Sequence, residues 1–513
     1  MTGDPLGIDL GTTYSVVAQA GPDGRVEVLT NEIGEIVVPS VVHFESPDSV
    51  LVGTAARNAS PLRPEHTVRL VKRLMGTDRS LEFFGEFYSP ELISSLILRA
   101  LVQGVGRRDR VPAVVTVPAY FGTREREATQ QACLLAGIEP LELVSEPVAA
   151  AIHYGLSDAG ADGLAVVYDL GGGTFDTTLL SLGEVITPIA TDGDVELGGA
   201  DWDQRLADYL VARFMEATGA AESPAEDPMF QADLVFIAER VKRDLSQTMT
   251  QHVPLRHRGR AVGVPLSRAE FESMTADLVG STVSRVHRLL DRGGRTAAQV
   301  DEVILVGGSS RMPMISKALT DEFGWRPRLY DPDLAVAKGA ALRAHRLSGR
   351  RNGSVALRAP DRADAASVVP RALGLLVEDS DDPTATRSFV QQVIHQNERL
   401  PIVDRPAALA TILPSQRKIK ISVYEQAGSV QSPDVEHNRP VLEGELTGLP
   451  AGLPAGSRIV LLLSLGLDGR LQVTATEPRT GTSLMLEAFV EGVIDSAARS
   501  QAAARLTGLT VRM

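Results

Sequence analysis

Apolar and polar positions follow different periods along the chain, and the change between them divides it into parts. Within residues 1–346, the apolar and β-branched runs at 111–117, 164–170 and 301–306 have the character of buried strands. Residues 123–136 have the apolar spacing of a helix. Strands that alternate with helices are typical of a sheet covered by helices, so we predict an α/β domain over residues 1–346.

The rest of the chain is patterned differently. Residues 347–369 are rich in Arg, Ala, Gly and Pro without a period, which predicts an interdomain linker. Residues 370–490 contain short strands between turn residues, typical of an all-β sandwich. The predicted strands are 389–395, 407–413, 418–424, 459–465, 471–475 and 483–489. Residues 491–513 are predicted to be a short helical tail, with one helix over 492–506.

Composition narrows the class of protein. The 513 residues carry 51 basic and 65 acidic side chains, and the net charge of −14 argues against sequence-independent nucleic-acid binding, which needs clustered positive charge. No apolar run approaches the roughly 20 residues that span a bilayer, and no signal-peptide pattern opens the chain, so we expect a soluble cytoplasmic protein without a membrane partner. The single cysteine, Cys133, excludes an internal disulfide, and no Cys/His spacing resembles a zinc site.

Two glycine-rich segments resemble each other. GIDLGTT at residues 7–13 and YDLGGGT at residues 168–174 each contain a strand, an Asp, a Leu, a Gly-rich turn and a Thr. Such a turn brings backbone N–H groups close to an anion, and the aspartate offers a hard oxygen to magnesium, usually through water. Either loop alone could be an ordinary hairpin. Together they predict two related half-domains that clamp a polyphosphate, and no P-loop or G-x-G-x-x-G motif offers an alternative nucleotide site.

Both loops look like the phosphate loops of the actin, hexokinase and heat-shock ATPase superfamily. Within it, seven ordered blocks between residues 7 and 342 closely resemble the 70-kDa heat-shock (DnaK-type) chaperones: GIDLGTTYS, VTVPAYF, SEPVAAAIHYG, VYDLGGGTFD, LGGADWD, VILVGGSSRMPMI and DPDLAVAKGAAL. PRALGL, IKISVYE and LDGRLQVTA resemble, more weakly, the peptide-binding domain of that family. The resemblance implies an actin-like (ribonuclease H-like duplicated) ATPase domain followed by a β-sandwich domain.

The resemblance also implies roles for residues of the ATPase cleft. Lys72 would reach the γ-phosphate and the attacking water, Glu146 would orient that water, and Pro147 matches a hinge proline. The implied catalytic residues are Asp9, Lys72, Glu146, Asp169 and Thr174, and the implied metal residues are Asp9, Asp169 and Asp176. The implied phosphate-binding residues are Gly11, Thr12, Thr13, Tyr14, Gly171, Gly172 and Gly173. The chemistry would be phosphoryl transfer to water, which depends on positioning and charge stabilisation.

The adenosine half of ATP would lie between two walls. Residues 239–246 have the spacing of a helix with positions 239, 242, 243 and 246 on one face, which taken alone is typical of a solvated surface. By resemblance, Glu239 and Lys242 would hold the ribose, and planar guanidiniums would stack on adenine. The implied residues are Glu239, Lys242, Arg243, Ser246, Gly307, Gly308, Ser309, Arg311 and Asp333.

In the β domain, the family grips an extended peptide through an apolar pocket and backbone hydrogen bonds. The matching positions are Leu375, Leu409, Ile412, Ile419 and Ile421. Any of them could equally be a core residue, because an alternating apolar strand is usually core.

Four features depart from the family pattern. The stretch between residues 75 and 114 is shorter, which trims an upper lobe of the ATPase and leaves the nucleotide-exchange partner uncertain. DRADAASVV replaces the leucine-rich acidic linker, and Glu142 stands where the family has an arginine of its J-protein docking surface. That charge reversal puts a J-domain partner in doubt. We also expect the helical lid over the peptide to be missing.

We therefore expect an ATP-dependent chaperone-like protein, active in protein folding and stress response. It would hydrolyse ATP slowly with magnesium and potassium, and bind unfolded or client peptides. Two alternatives stay open. A nucleotide-gated scaffold without a client-folding cycle is favoured by the linker and Glu142. A small-molecule kinase of the same superfamily would need an acceptor-binding insertion, and would leave the β domain unexplained.

Overall fold

The computed structural model describes residues 4–108, 110–156, 163–183, 185–220, 222–351, 364–365, 368–378, 388–427, 431–467, 470–487, 505–506 and 508–513. The helix predicted over 492–506 lies outside these ranges except for Arg505 and Leu506, which are helical. Within the described residues, no helix combines the length and apolar character needed to cross a membrane.

Residues 4–156 form the first lobe. Its strands are β1 (Leu6–Asp9), β2 (Tyr14–Ala20), β3 (Val26–Val28), β4 (Val38–Pro39), β5 (Val42–Ser46), β6 (Ser49–Val52), β7 (Thr67–Val68), β8 (Leu81–Phe83), β9 (Glu86–Tyr88), β10 (Val111–Val117) and β11 (Ile138–Ser145). Its helices are α1 (Thr54–Ala59), α2 (Pro90–Gly104), α3 (Thr123–Leu135) and α4 (Glu146–His153). The main sheet has the order β11-β10-β1-β2-β3, with β4 paired to β2. A smaller sheet contains β5, β6 and β7, and Phe44 of this sheet stacks on Phe83 of the β8–β9 hairpin with 4.2 Å between ring centres.

Residues 163–351 form the second lobe. Its strands are β12 (Gly163–Leu170), β13 (Phe175–Leu182), β14 (Val185–Asp194), β15 (Thr250–His257), β16 (Arg260–Ser267) and β17 (Glu302–Val306). Its helices are α5 (Gly199–Thr218), α6 (Pro228–Gln247), α7 (Arg268–Met274), α8 (Ala276–Gly293), α9 (Pro313–Phe323) and α10 (Ala335–Arg351). The main sheet has the order β17-β12-β13-β14, and β15 and β16 form a separate hairpin.

The two lobes repeat one topology. In the first lobe β1 ends at Asp9, returns antiparallel as β2, and pairs with the parallel β10 on its other side. In the second lobe β12 carries Asp169 near its end, returns antiparallel as β13, and pairs with the parallel β17. The repeated loops predict this duplication, and the α/β fold class with two related half-domains is confirmed.

Helices α4 and α10 pack against each other where the two lobes meet. A Cβ added to Gly339 of α10 would lie 1.8 Å from the carbonyl oxygen of Ala149 in α4. A Cβ added to Gly7 of β1 would lie 2.1 Å from the backbone nitrogen of Ala341. Glycine at both positions therefore allows α10 to lie directly on the strand that leads into the first glycine-rich loop.

The remaining elements form a linker strand, a sandwich and one more strand. They are β18 (Asp364–Ala365), β19 (Leu373–Glu378), β20 (Ser388–Ile394), β21 (Ile402–Ala410), β22 (Lys418–Gln426), β23 (Asn438–Thr447), β24 (Arg458–Leu465), β25 (Leu471–Thr476), β26 (Ser483–Glu487) and β27 (Thr510–Arg512). The sheets β20-β19-β22-β23 and β21-β24-β25-β26 enclose a core that includes Val423, Leu461 and Val473, all inaccessible to solvent. The predicted all-β sandwich is confirmed.

Several boundaries differ from the sequence prediction. All six predicted strands form, but β21 begins and ends earlier than predicted, and β19 and β23 were not predicted as strands. Pro440 and Gly444 interrupt the alternation that would have revealed β23. The last turn of α10 lies within the predicted linker, and β18 pairs in parallel with β14. Residues 510–512 form strand β27 where we predicted a helical tail, because β6 supplies a partner that is distant in sequence.

Candidate nucleotide cleft

The two glycine-rich loops meet across the cleft between the lobes. A Cβ added to Gly172 would lie 2.1 Å from Thr13 Oγ1, and one added to Gly173 would lie 2.2 Å from Thr12 Cγ2. A Cβ on Gly11 would lie 1.9 Å from the carbonyl oxygen of Tyr14. Only glycine therefore permits this approach, which gives Gly11 of the first loop and Gly172 and Gly173 of the second a physical reason.

The N-terminus of α5 holds the second loop in place. The backbone N–H groups of Gly199 and Ala200 donate to the carbonyl oxygens of Gly171 and Gly172, at 2.9 and 2.7 Å. Lys242 Nζ donates to the carbonyl oxygen of Gly199 at 2.7 Å, so this lysine, predicted at the ribose, also supports the phosphate loop. It pairs with Asp203 at 2.8 Å and is buried.

Lys72 and Glu146 form a buried ion pair in the same cleft. Lys72 lies in the short turn Val71–Leu74, Glu146 is the first residue of α4, and their Nζ and Oε1 atoms are 2.5 Å apart. Only 6% and 11% of the two side chains are exposed. Burial of both charges with so short a contact fixes the ammonium group in position.

Three carboxylates face this pair. Asp169 and Asp176 lie opposite each other in the β12–β13 register, and Thr116 Oγ1 donates to Asp9 Oδ1 at 2.8 Å. Burial and, to a smaller extent, the nearby Glu146 raise the pKa of Asp9 to about 6, against the opposing effect of Lys72. Burial also raises the pKa of Asp169 and of Asp176 well above the ordinary value. The cleft thus carries more acidic groups than its own lysine balances, which favours a bound cation.

The carboxylates fit a hydrated cation. The backbone N–H of Ala119 donates to Asp176 Oδ2 at 2.8 Å, while Asp176 Oδ1 is buried without a hydrogen-bond partner within the described residues. Over those same ranges, no three His, Cys, Asp or Glu side chains converge closely enough to ligate an ion together. Hard oxygens spaced in this way suit magnesium held through its water shell.

The predicted adenosine end contains a contact between the lobes. Tyr14 of the first lobe donates its hydroxyl to Glu239 Oε1 of α6 at 2.6 Å, and Arg57 of α1 donates to both Tyr14 Oη and Glu239 Oε2. Arg243 pairs with Glu239 at 2.8 Å and lies over the Tyr14 ring at 4.9 Å. Burial raises the pKa of Tyr14 to about 12, so its phenol remains a donor at neutral pH.

The other predicted residues of this end lie on the facing wall. Arg311 pairs with Asp333 at 2.6 Å, and a Cβ on Gly308 would lie 2.7 Å from Asp333 Oδ1. Ser309 is buried, and its Oγ would be 2.1 Å from a Cβ on Gly199. A Cβ on Gly307 would lie 2.5 Å from Asp169 Oδ1, so this turn also borders the carboxylates. The Ser246 hydroxyl donates to the carbonyl oxygen of Lys242 in the same helix.

Three residues of the cleft were missed by the sequence reasoning. Arg73 donates to the carbonyl oxygen of Gly173 at 2.6 Å, and its position next to Lys72 in VKRLMG was the available signal. Arg57 belongs to no motif. Tyr120 lies in the VTVPAYF block and is partly buried, and burial together with the nearby Asp176 raises the pKa of its phenol well above the ordinary value.

The five predicted peptide-binding positions fall into two environments. Leu375, Ile419 and Ile421 are buried in the core of the sandwich. Leu409 is half-buried, and Ile412 is 57% exposed in the turn after β21. Leu413, next to Ile412, is also exposed, although it was not predicted.

Glu142 is fully buried, contrary to the expectation that it lies on a docking surface. Its carboxylate accepts two hydrogen bonds from Arg343 of α10, at 2.7 and 3.3 Å. The charge at this position therefore joins β11 to α10 and is not presented to a partner.

Comparison with known proteins identifies the family. The model of the family described as "Hsp70 protein" matches residues 5–84 and 79–496. The chain belongs to the Hsp70 family. It is 36% identical to the chaperone protein DnaK of Thermotoga petrophila over 491 residues, 93% of this chain and 78% of that protein. The DnaK chaperones of Thermotoga neapolitana and Thermosipho africanus are 35% and 34% identical, with the same coverage.

The function of this Hsp70 is that of an ATP-dependent chaperone, and nothing in these relatives favours the scaffold alternative. Hsp70 chaperones are ATPases that bind ATP or ADP with magnesium, client peptides and co-chaperones. The two family matches meet at residues 79–84, at the β8–β9 hairpin, within the segment that we predicted to be shortened.

Proposed function

We propose that this Hsp70 hydrolyses ATP in the cleft between its lobes, with Lys72 and Glu146 at the reacting centre. The observation that supports this most strongly is the buried Lys72–Glu146 pair, which lies among Asp9, Asp169 and Asp176. A fixed ammonium and a carboxylate beside two glycine-rich loops are the groups that phosphoryl transfer to water requires.

Each group has a specific task in this proposal. The N–H groups of the two loops and the hydroxyls of Thr12, Thr13 and Thr174 hold the phosphates. Lys72 neutralises charge on the γ-phosphate, and Glu146 both fixes Lys72 and orients the attacking water. Asp9, Asp169 and Asp176 would hold the water shell of magnesium, with potassium near Asp176. Magnesium, when bound, neutralises the charge that develops on the phosphate oxygens.

We further propose that adenosine binds between α6 and the Gly307–Arg311 turn, and that the sandwich takes an unfolded client peptide. Exposed apolar side chains at Ile412 and Leu413 support a peptide surface beside the half-buried Leu409. The buried Leu375, Ile419 and Ile421 would shape that surface from below.

Addition of an apolar peptide should raise ATP turnover; unchanged turnover would contradict a coupled chaperone cycle. A J-domain partner, an exchange factor, cytoplasmic location and a stress role stay predictions.

The direct test of the cleft is Lys72→Ala. We expect ATP turnover to be lost, by a factor on the order of 10² or more, while ATP still binds, because the lysine acts on the reacting phosphate. The control is Lys317→Ala, since Lys317 is a surface lysine of α9 that is 72% exposed and paired with Asp321. Single-turnover hydrolysis and calorimetric ATP binding measure the two effects. Retained turnover in Lys72→Ala would refute the catalytic assignment.

A further inference from the structure

The last described segment of the chain, residues 505–506 and 508–513, lies on the first lobe of the ATPase. Its strand β27 pairs in parallel with β6, with Val511 opposite Val50, and extends the smaller sheet to β27-β6-β5-β7. The backbone N–H of Thr510 donates to the carbonyl oxygen of Asp48 at 2.9 Å. Neither the phosphate loops nor the sandwich requires this contact.

Apolar side chains anchor the segment on the first lobe. Leu506 and Leu509 are 2% and 8% exposed and belong to the same core as Phe44 of β5. A Cβ added to Gly104, the last residue of α2, would lie 2.9 Å from Met513 Sδ. The first lobe therefore provides a pocket into which Met513 fits because residue 104 is glycine.

Charged groups lie at both ends of the segment. Arg505 pairs with Glu86 at 2.5 Å and donates to the carbonyl oxygen of Phe87 at 2.9 Å. Arg512 pairs with Glu45 and donates to Ser49 Oγ. Arg99 of α2 donates to the carbonyl oxygen of Leu506 at 2.8 Å. Backbone pairing, two apolar anchors and two acidic partners together have the composition of a peptide-binding edge.

We propose that the β6 edge of the ATPase domain is a docking site for an extended peptide, and that residues 505–506 and 508–513 of the same chain are its occupant. The site selects a parallel strand with leucines three residues apart and an arginine at each end. The docked strand also positions Lys72, because β27, β6, β5 and β7 form one sheet and β7 leads through two residues into the Val71–Leu74 turn. This second part rests on the proposed ATPase function; the docking itself does not.

Cross-linking tests the docking in the full chain. Ser49 and Thr510 are register partners, and the native Cys133 is fully buried, so Ser49→Cys with Thr510→Cys gives one reactive pair. A short bis-maleimide should join these two within one molecule. The control pair is Ser281→Cys with Thr510→Cys, because Ser281 lies exposed on α8 of the other lobe and should not cross-link. Absence of a 49–510 cross-link, or a cross-link between two molecules, would overturn docking of the chain's own segment.

Two further variants act from opposite sides of the contact. Leu509→Asp places a charge on the segment itself. Gly104→Leu leaves the sequence of the segment unchanged and fills the space that Met513 Sδ occupies. Both should lower the yield of the 49–510 cross-link several-fold. Both should also lower kcat for ATP on the order of tenfold, because a small displacement of a positioned group is costly. If kcat is unchanged while the cross-link is lost, the positioning role is wrong. If the unmodified chain has no turnover, the proposed ATPase function fails while cross-linking still decides the docking.

Discussion

Glycine at position 172 sets the distance between the two loops that we assign to the phosphates. A Cβ there would meet Thr13 Oγ1 at 2.1 Å, so Gly172→Ala must push the loops apart. We expect the binding free energy of ADP to become less favourable by about 1–3 kcal/mol, with little change in the free energy of unfolding. Isothermal titration calorimetry measures the affinity.

The matched control for this change is Gly280→Ala. Gly280 lies exposed on α8 with no atom near its missing Cβ, so alanine there should leave ADP binding unchanged and stabilise the helix by roughly 0.5–1 kcal/mol. Wild-type ADP affinity in Gly172→Ala would show that the loops separate freely, contrary to the contact seen here.

The buried ion pair between Glu142 and Arg343 is expected to contribute strongly to folding stability. Arg343→Met keeps the apolar stem of the side chain but removes the guanidinium that donates two hydrogen bonds to the fully buried carboxylate of Glu142. We expect a loss of about 3–5 kcal/mol, measured as the shift of the denaturant midpoint of the ATPase domain.

An exposed pair of the same kind provides the comparison. Arg205 binds Asp277 through two nitrogens, but the side chains are 43% and 61% exposed, so Arg205→Met should cost at most about 1 kcal/mol. The double change of Glu142 and Arg343 to Leu should recover much of the loss. Equal effects of Arg343→Met and Arg205→Met would contradict the importance of burial.

Sequence patterns predicted contacts between residues close in the chain better than contacts between distant ones. The shared face of Glu239, Lys242 and Arg243 follows from helical spacing, and α6 has it. The burial of Glu142 depends on Arg343, a partner 201 positions away, and Arg57 reaches Glu239 across 182 positions. No local pattern contains such pairs, so Glu142 was misplaced at the surface and Arg57 was missed.

At the scale of elements, α1 and α6 bridge the mouth of the cleft. Arg57 of α1 contacts Tyr14 and Glu239 and lies 5.0 Å from the Phe236 ring, so it joins the first lobe to the second. We expect Arg57→Ala to loosen this bridge and to speed ADP release roughly two- to fivefold, since a partly exposed pair contributes up to about 1 kcal/mol. Stopped-flow release of a fluorescent ADP analogue measures the rate.

The control for the bridge is Arg25→Ala, because Arg25 pairs with Asp23 on the surface and its side chain is 92% exposed. Its ADP release should match the wild type. An unchanged rate in Arg57→Ala would mean that the lobes are held together elsewhere in the cleft.

Strands with regular alternation were predicted to within a few residues, whereas strands defined by their partners were not. β24 and β25 alternate cleanly and form as expected. β27 has three residues, too few for a period, and exists because β6 offers an unpaired edge. β18 has only two residues and likewise exists because it pairs in parallel with β14. Pairing of this kind belongs to the tertiary structure and cannot be read from a local pattern.

At the scale of the whole molecule, the sandwich docks on the start of α3. Glu425 of β22 accepts hydrogen bonds from the backbone and side chain of Thr123, at 2.6 and 2.7 Å. Arg371 donates to the carbonyl oxygen of Tyr120, and the backbone N–H of the adjacent Ala119 donates to Asp176 Oδ2 in the cleft. A continuous set of contacts therefore connects the β domain with the nucleotide cleft.

Arg439 neutralises the negative charge at this contact. It lies between Glu125 of α3 and Glu425, 2.8 Å from each. Burial alone would raise the pKa of Glu125, but Arg439 holds it below the ordinary value, so the pair is fully formed at neutral pH and weakens only as pH falls through that lowered pKa. Arg439→Ala would remove the guanidinium between the buried carboxylate of Glu425 and the partly buried carboxylate of Glu125, and would leave Arg371 at 3.9 Å from Glu425. We expect a loss of about 2–5 kcal/mol of docking free energy, a larger radius of gyration by small-angle scattering, and no stimulation of ATP turnover by peptide. Lys418→Ala, which removes an exposed pair with Glu445 in the same sheet, should change none of these. A compact, peptide-stimulated Arg439→Ala protein would show that docking and coupling do not depend on this charge.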